Sequence, residues 1–238
     1  MRGGFPHLPA EPGGDLREHF QIRMTDLPMV LVGLLVCFLI GSIPFAVVAM
    51  LGSGIDIRRV GSGNPGFNNV LRVSKARAVV ALIGDLGKGP LAIGLVHHFW
   101  PSQAGMGGVT LGWLCGFAAV FGHCYSPLLK FNGGKGIATS GGVMLVLYPG
   151  WALVAIAYFT ALRIAGSRLN WREAGSIASL TTWVLFVCLM LGFVGRLDAT
   201  FAAVMTLFLA WRHKKNLQSL FAGAALQGRG LSPAQGKN

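Results

Sequence analysis

Residues 122–142 read GHCYSPLLKFNGGKGIATSGG, and the fold turns on what kind of glycine loop this is. Gly133, Gly134 and Gly136 surround Lys135, and Gly141 and Gly142 follow. Such a run lets the backbone turn freely and present bare N–H groups beside one ammonium, a natural setting for an anion. A nucleotide P-loop would require a glycine where Leu129 stands and Ser or Thr where Gly136 stands. With neither present, and no buried strand ending in an acidic magnesium ligand elsewhere, a P-loop fold is set aside. What survives is a nest that holds a phosphate without needing to hydrolyse it. The plain alternative is a flexible turn between two apolar helices.

Outward from this loop the chain is apolar. Of its 238 residues 53% are hydrophobic and 12% charged, and the mean hydropathy is +0.60. These values exclude an ordinary soluble domain and predict an all-α polytopic membrane protein. The formal charge of +12 comes mostly from short segments between apolar runs, where Lys and Arg set orientation and meet anionic lipid headgroups or substrates. Nucleic acid is therefore not an expected partner. Cys37, Cys115, Cys124 and Cys188 stand singly, without zinc-type spacing, and read as free thiols. No metal and no cofactor are implied.

Residues 1–26, with Pro6, Pro9, Pro12 and mixed charges, read as a disordered tail, with Met24 as an alternative natural start that an intact-mass measurement would test. Residues 27–221 read as the membrane domain and 222–238 as a flexible tail. Apolar spans are expected at 27–51, kinked at Pro44, and at 78–100, 109–122, 137–148, 151–165, 174–194 and 199–211, which makes about seven transmembrane helices. Taking connections alternately, one side collects Arg58, Arg59, Arg72, Lys75, Arg77, Lys130, Lys135, Arg163, Arg168, Arg172, Arg212, Lys214, Lys215, Arg229 and Lys237. The other receives only Arg2, Arg17, Arg23 and Arg196. The positive-inside rule then puts the N-terminus outside and the C-terminus in the cytoplasm.

The glycine-rich and polar connections all fall on that cytoplasmic side, which predicts one shared, strongly cationic site. Residues 61–72, GSGNPGFNNVLR, contain a G-x-G-x-x-G pattern, but Pro65 interrupts it and IDIRRV ahead is short and charged. A dinucleotide fold is rejected on those grounds. Ser62, Asn64 and Asn69 instead supply small polar groups, and Arg72 can grip an oxyanion bidentately; a capped turn before a helix would look the same. Asp85 and Lys88, three residues apart inside a span, share a helix face and can neutralise each other. They either touch substrate or hold the Arg72 loop. His213 and Asn216 repeat that spacing just after the last span. His97 and His98 read as interface residues, and His123 as a structural donor with no triad around it.

Taken together these stretches resemble the bacterial acyl-phosphate-dependent glycerol-3-phosphate acyltransferases of the inner membrane. The matching segments are GSIPF at Gly41, DIR at Asp56, GSGN at Gly61, NVLR at Asn69, D-L-x-K-G at Asp85, GH at Gly122 followed by F-x-GGKG-x-AT, GSI at Gly175 and RHxxN at Arg212. They run in the family's order over nearly all the chain after residue 26. The resemblance implies a seven-helix fold that moves a fatty acyl group from acyl phosphate to the 1-hydroxyl of glycerol 3-phosphate among membrane lipids, without cofactor, giving lysophosphatidic acid. It implies essential roles for Ser62 and Arg72, glycerol phosphate binding at Gly133, Gly134, Lys135 and Gly136, and a catalytic pair in His213 and Asn216. Asn64, Asn69, Asp85, Lys88 and Ser176 join them as substrate-binding candidates. The chain departs from the family pattern at Phe67-Asn68, at Asn132, in the placing of Pro127, and at Ala224 and Ala225, where a glutamate is usual. The acyl chain of such a donor stays in the lipid phase, so neither a carrier-protein surface nor a coenzyme A pocket is required. A transporter of organic phosphates is the alternative, but no paired half-repeat is apparent.

Overall fold

The computed structural model describes residues 27–99 and 108–228; the readings for the 1–26 tail, for Met24 and for residues 229–238 lie outside them. Among the described residues the regular structure is all helical. Hydrocarbon demands this, because a helix closes its own backbone hydrogen bonds. The first helix, α1 (Leu27–Ser42), stops ahead of Pro44, and a short α2 (Phe45–Val48) resumes the path, so the expected kink is a break. A 3₁₀ turn at Ile57–Arg59 and a short α3 (Phe67–Leu71) occupy the polar connection. Then come α4 (Lys75–Phe99), α5 (Gly108–Cys124), α6 (Ile137–Leu147), α7 (Pro149–Arg168), α8 (Ala174–Phe193) and α9 (Arg196–Arg212). A final helix, α10 (Lys214–Gly228), carries helical structure past residue 221 into the segment read as tail.

Four stretches among the described residues are long and apolar enough to cross a membrane: Leu27–Val48, Lys75–Phe99, Pro149–Arg168 and Ala174–Phe193. At about 1.5 Å per residue, the 11-residue α6 is too short to do so alone. It meets α7 end to end at Tyr148, where Pro149 opens the next helix.

Close backbone approach holds the bundle together. A methyl group at Gly41 would collide with the Ala119 carbonyl, and one at Gly122 with the Phe38 carbonyl, so α1 and α5 touch main chain to main chain in an antiparallel pair. Likewise Gly142 of α6 lies against the Leu86 carbonyl of α4, and a Cβ on Gly89 would sit 2.6 Å from the Val143 nitrogen. In lipid, where apolar side chains gain little by leaving hydrocarbon, such small-residue contact is what makes helices associate. Trp113, Trp183, Phe186, Met190, Met205 and Leu209 fill the interior around these seams. At one end of the bundle Asp198 accepts hydrogen bonds from Trp113 Nε1, at 3.1 Å, and from the Tyr148 hydroxyl. Connections 43–74, 125–136 and 169–173 and residue 213 gather at the other.

A Gly142→Ala substitution must push α4 and α6 apart. Overpacking of this kind costs roughly 1–3 kcal/mol, worth about 2–4 °C of Tm per kcal/mol in a chain of this size. Gly87, on the exposed side of α4, has nothing within 4 Å of an added Cβ. Thermal unfolding in detergent should therefore show a clear loss for Gly142→Ala and almost none for Gly87→Ala.

Candidate functional site

The glycine loop is folded by its own lead-in. After α5 ends, Pro127 opens a 3₁₀ turn, Pro127–Leu129, and Lys130 and Phe131 take left-handed conformations at φ 51 and 61, which reverses the chain. Gly133 N then donates to Cys124 O and Gly134 N to His123 O, both at 3.1 Å. Two of the N–H groups read from sequence as bare are thus spent on the backbone of α5. Gly133 and Gly134 contribute by lacking side chains, since a Cβ at 134 would overlap the His123 imidazole. The N–H groups left for an anion are those of Lys135 and Gly136 and of the first turn of α6, where the helix dipole adds positive potential. Gly136 itself has φ 89, a conformation that favours glycine.

Arg212 fastens this loop to the end of α9. Its Nη2 donates to Gly133 O at 3.2 Å and to Gly134 O at 2.9 Å, and its guanidinium lies 4.8 Å from the centre of the Tyr125 ring. Beneath the loop, Lys88 Nζ sits 2.8 Å from Asp85 Oδ1 and 3.1 Å from His123 Nδ1, all three side chains being buried. Asp85 and Lys88, expected among the binding residues, are therefore turned under the loop. They fix the imidazole on which Gly134 rests.

The 61–72 connection is shaped by Asn69, which is buried with both ends of its amide engaged. Its Nδ2 donates to Ile57 O and Val60 O at 2.9 Å each, and its Oδ1 accepts from Ser62 N at 3.1 Å. Asn69 is thus a clamp on the turn, where the sequence pattern suggested a ligand. Ser62 and Arg72 are exposed, and Asn64 N donates to Ser62 Oγ at 3.4 Å. This connection reaches the start of α8: a Cβ on Gly175 would lie 3.7 Å from Asn68 Nδ2.

Across the site Lys135 Nζ donates to Asn216 Oδ1 at 2.5 Å, and Asn216 Nδ2 donates to Glu173 Oε2, also at 2.5 Å. Ser176 Oγ donates to the same carboxylate oxygen at 3.2 Å. Burial lowers the proton affinity of Lys135, Glu173 opposes that shift, and the charges of Arg212 and Arg72 add to it. Arg72 and Lys135 belong to two of the connections, and Arg212 is the last residue of α9. His213 is buried on the inner side of Asn216, with Nδ1 donating to Leu209 O at 2.8 Å, which leaves Nε2 with the lone pair. Burial pushes His213 down to about 4, against the favourable hydrogen bond to that carbonyl.

Of the residues singled out from the sequence, Lys135 and Asn216 are joined by a hydrogen bond, Ser176 and Asn216 share the Glu173 carboxylate as acceptor, and His213 stands three residues before Asn216; Glu173 itself and the clamping role of Arg212 were not anticipated. The available signal for Glu173 was its isolation, a single acid among Arg163, Arg168 and Arg172.

The bundle and its cationic end define a helical membrane protein built to hold anions. Residues 31–223 match the family described as Glycerol-3-phosphate acyltransferase. A glycerol-3-phosphate acyltransferase of Azotobacter vinelandii is 38% identical over 199 residues, covering 82% of this chain and 97% of the relative. One from Burkholderia thailandensis is 37% identical over 199 residues, covering 82% and 93%. The fold matches the crystal structure of PlsY, an integral membrane glycerol 3-phosphate acyltransferase, in its glycerol 3-phosphate form, with a TM-score of 0.70, 29% identity and coverage of 82% of this chain and 93% of that one. Its lysophosphatidic acid form matches with a TM-score of 0.69 and 28% identity. The chain belongs to the glycerol-3-phosphate acyltransferase family.

The depressed proton affinity of His213 has a sign that can be tested. The unfolded chain binds this proton near pH 6.5 and the folded chain only near 4, so stability is whole above about pH 6.5 and is lost as pH falls toward 4. Tm should drop by several degrees between about pH 7 and pH 4.5, and His213→Gln should flatten that drop.

Proposed function

We propose that this chain transfers a fatty acyl group from acyl phosphate to the 1-hydroxyl of glycerol 3-phosphate, yielding lysophosphatidic acid and inorganic phosphate. It does so as a seven-helix protein of the bacterial inner membrane, with the site at the cytoplasmic face. The observation that carries the reading is the loop end of an apolar bundle where Lys135 bonds Asn216, Arg212 holds the glycine loop, and Arg72 stands exposed on the connection that reaches α8. Two anionic reactants demand such a site before any bond is made. The relatives named above are acyltransferases of the same glycerol phosphate, and the excess of Lys and Arg at this end fits a cytoplasmic side.

In this mechanism Lys135 and the N–H groups around Gly136 hold one phosphate, and Arg72 with Ser62 holds the other. The glycerol hydroxyl oxygen attacks the acyl carbonyl carbon, the carbon–oxygen bond to phosphate breaks, and phosphate leaves. The hydroxyl proton must go somewhere. His213 is a weak base for the task, since burial holds it at about 4. A phosphate oxygen, with a second pKa of about 6, is better matched to neutral pH. The substrate's own phosphate therefore takes the proton, while His213 and Asn216 orient the glycerol. A donor whose chain remains in lipid needs no coenzyme A pocket.

Purified protein in micelles should make the 1-acyl product from acyl phosphate and glycerol 3-phosphate, with no metal or nucleotide added, and acyl-CoA should fail as donor. Uptake of glycerol 3-phosphate into proteoliposomes lacking donor would instead point to transport. Gly134→Ala, by displacing the loop from His123, should chiefly raise KM for glycerol 3-phosphate. Ser62→Ala and Arg72→Ala should chiefly lower kcat. His213→Gln should keep partial activity and an unchanged pH limb, whereas loss of a true general base costs roughly 10²–10⁴ in rate.

A further inference from the structure

Glu173 combines two observations that nothing in the proposed reaction uses. The first is backbone conformation. Glu173 has φ 58 and ψ 30, a left-handed conformation that costs a non-glycine residue on the order of 1–3 kcal/mol and persists where surrounding structure enforces it. Here the enforcement is visible. The Glu173 carbonyl accepts from Ser176 N at 2.8 Å and Ile177 N at 3.0 Å, opening α8, while its carboxylate accepts from Asn216 and Ser176.

The second observation is charge order along one line: ammonium, amide, carboxylate. Asn216 presents its oxygen to Lys135 and its NH₂ to Glu173, at 2.5 Å on each side. Flipping the amide would set donor against ammonium and acceptor against carboxylate, so the two charges fix its orientation. Glu173 is also the carboxylate whose charge supports Lys135 against burial and the nearby arginines. It does this across the amide. A direct ion pair would compete with an incoming phosphate for the ammonium, whereas the interposed amide leaves two of the three ammonium hydrogens open to it.

We infer that Glu173 is a positioning residue that acts through Asn216 to hold Lys135 in place for the phosphate of the substrate, with no carboxylate bonded directly to the ammonium. A lysine on a four-carbon stem otherwise loses rotamer freedom each time it binds. The inference rests on the proposed acyl-transfer reading of the site.

The test uses the full-length protein in micelles, with KM and kcat for glycerol 3-phosphate measured at saturating acyl phosphate. Glu173→Ala should raise KM about tenfold, with kcat changed less than about threefold. Glu173→Gln keeps an acceptor for Asn216 and should restore most of the lost affinity. Glu173→Gly, free of steric penalty in the left-handed region, should keep its Tm within a few degrees of wild type yet show the raised KM, which separates positioning from folding. Because the effect passes through Asn216, Glu173→Ala combined with Asn216→Ala should be no worse than Asn216→Ala alone. A KM within twofold of wild type in both Glu173→Ala and Glu173→Gly, or a double variant in which the two effects simply multiply, overturns the inference. The rise in Tm induced by glycerol 3-phosphate reads the same variants without turnover. A wild type that is stabilised by this ligand but makes no product overturns the proposed reaction, and the positioning role then stands or falls on whether Glu173→Gly loses that rise.

Discussion

Much of the loop-bearing end depends on position 134 having no side chain. With hydrogen there, the chain can lie directly on the His123 imidazole and donate back to the carbonyl of that same residue. The imidazole cannot yield, because Lys88 and Asp85 pin it from below. A buried ion pair is a poor source of net stability on its own, since desolvation offsets most of the attraction. Here its use is geometric: it makes a hard floor for a soft loop.

The same loop is held from above by Arg212, whose two hydrogen bonds to glycine carbonyls consume donors that a free guanidinium would offer to an anion. The three cations of the site therefore differ in kind. Arg212 is committed to structure, Lys135 is steadied by a neutral amide, and Arg72 is exposed on its own turn. Arg212 meets carbonyl oxygens and Lys135 an amide oxygen with the Glu173 carboxylate beyond it, so negative potential is supplied without full neutralisation.

The all-helical, membrane-type architecture and the gathering of polar connections were legible in the sequence because they follow from hydropathy, charge bias and spacing, whereas seven spans were expected and four described stretches are long and apolar enough to cross. Pro44 gave its break and Pro149 its junction for the same local reason, a missing backbone donor. What stayed hidden depends on where side chains end in space. Asn69 has the composition of a ligand, but the turn at Ile57–Arg59 folds back so that its amide is used internally. Asp85 and Lys88 lie on one face of α4, as spacing requires, yet spacing alone does not say whether that face meets substrate or His123. The N–H groups of Gly133 and Gly134 were counted as free because the reversal at Lys130 and Phe131, two non-glycine residues in left-handed conformations, has no compositional signature. Glu173 was overlooked because its partner Asn216 lies 43 residues away.

The buried pair also bears on how the chain is put into a bilayer. Asp and Lys near the centre of a crossing helix each carry an insertion penalty of about 2.5–3.5 kcal/mol. Asp85 and Lys88 are one helical turn apart, so α4 carries its own counter-ion and can cancel part of that penalty before any neighbour exists. His123, 35 residues beyond Lys88, joins only once α5 has been synthesised. The order of residues along the chain thus matches an order of assembly in which charge is neutralised within one helix first and shared between helices afterwards.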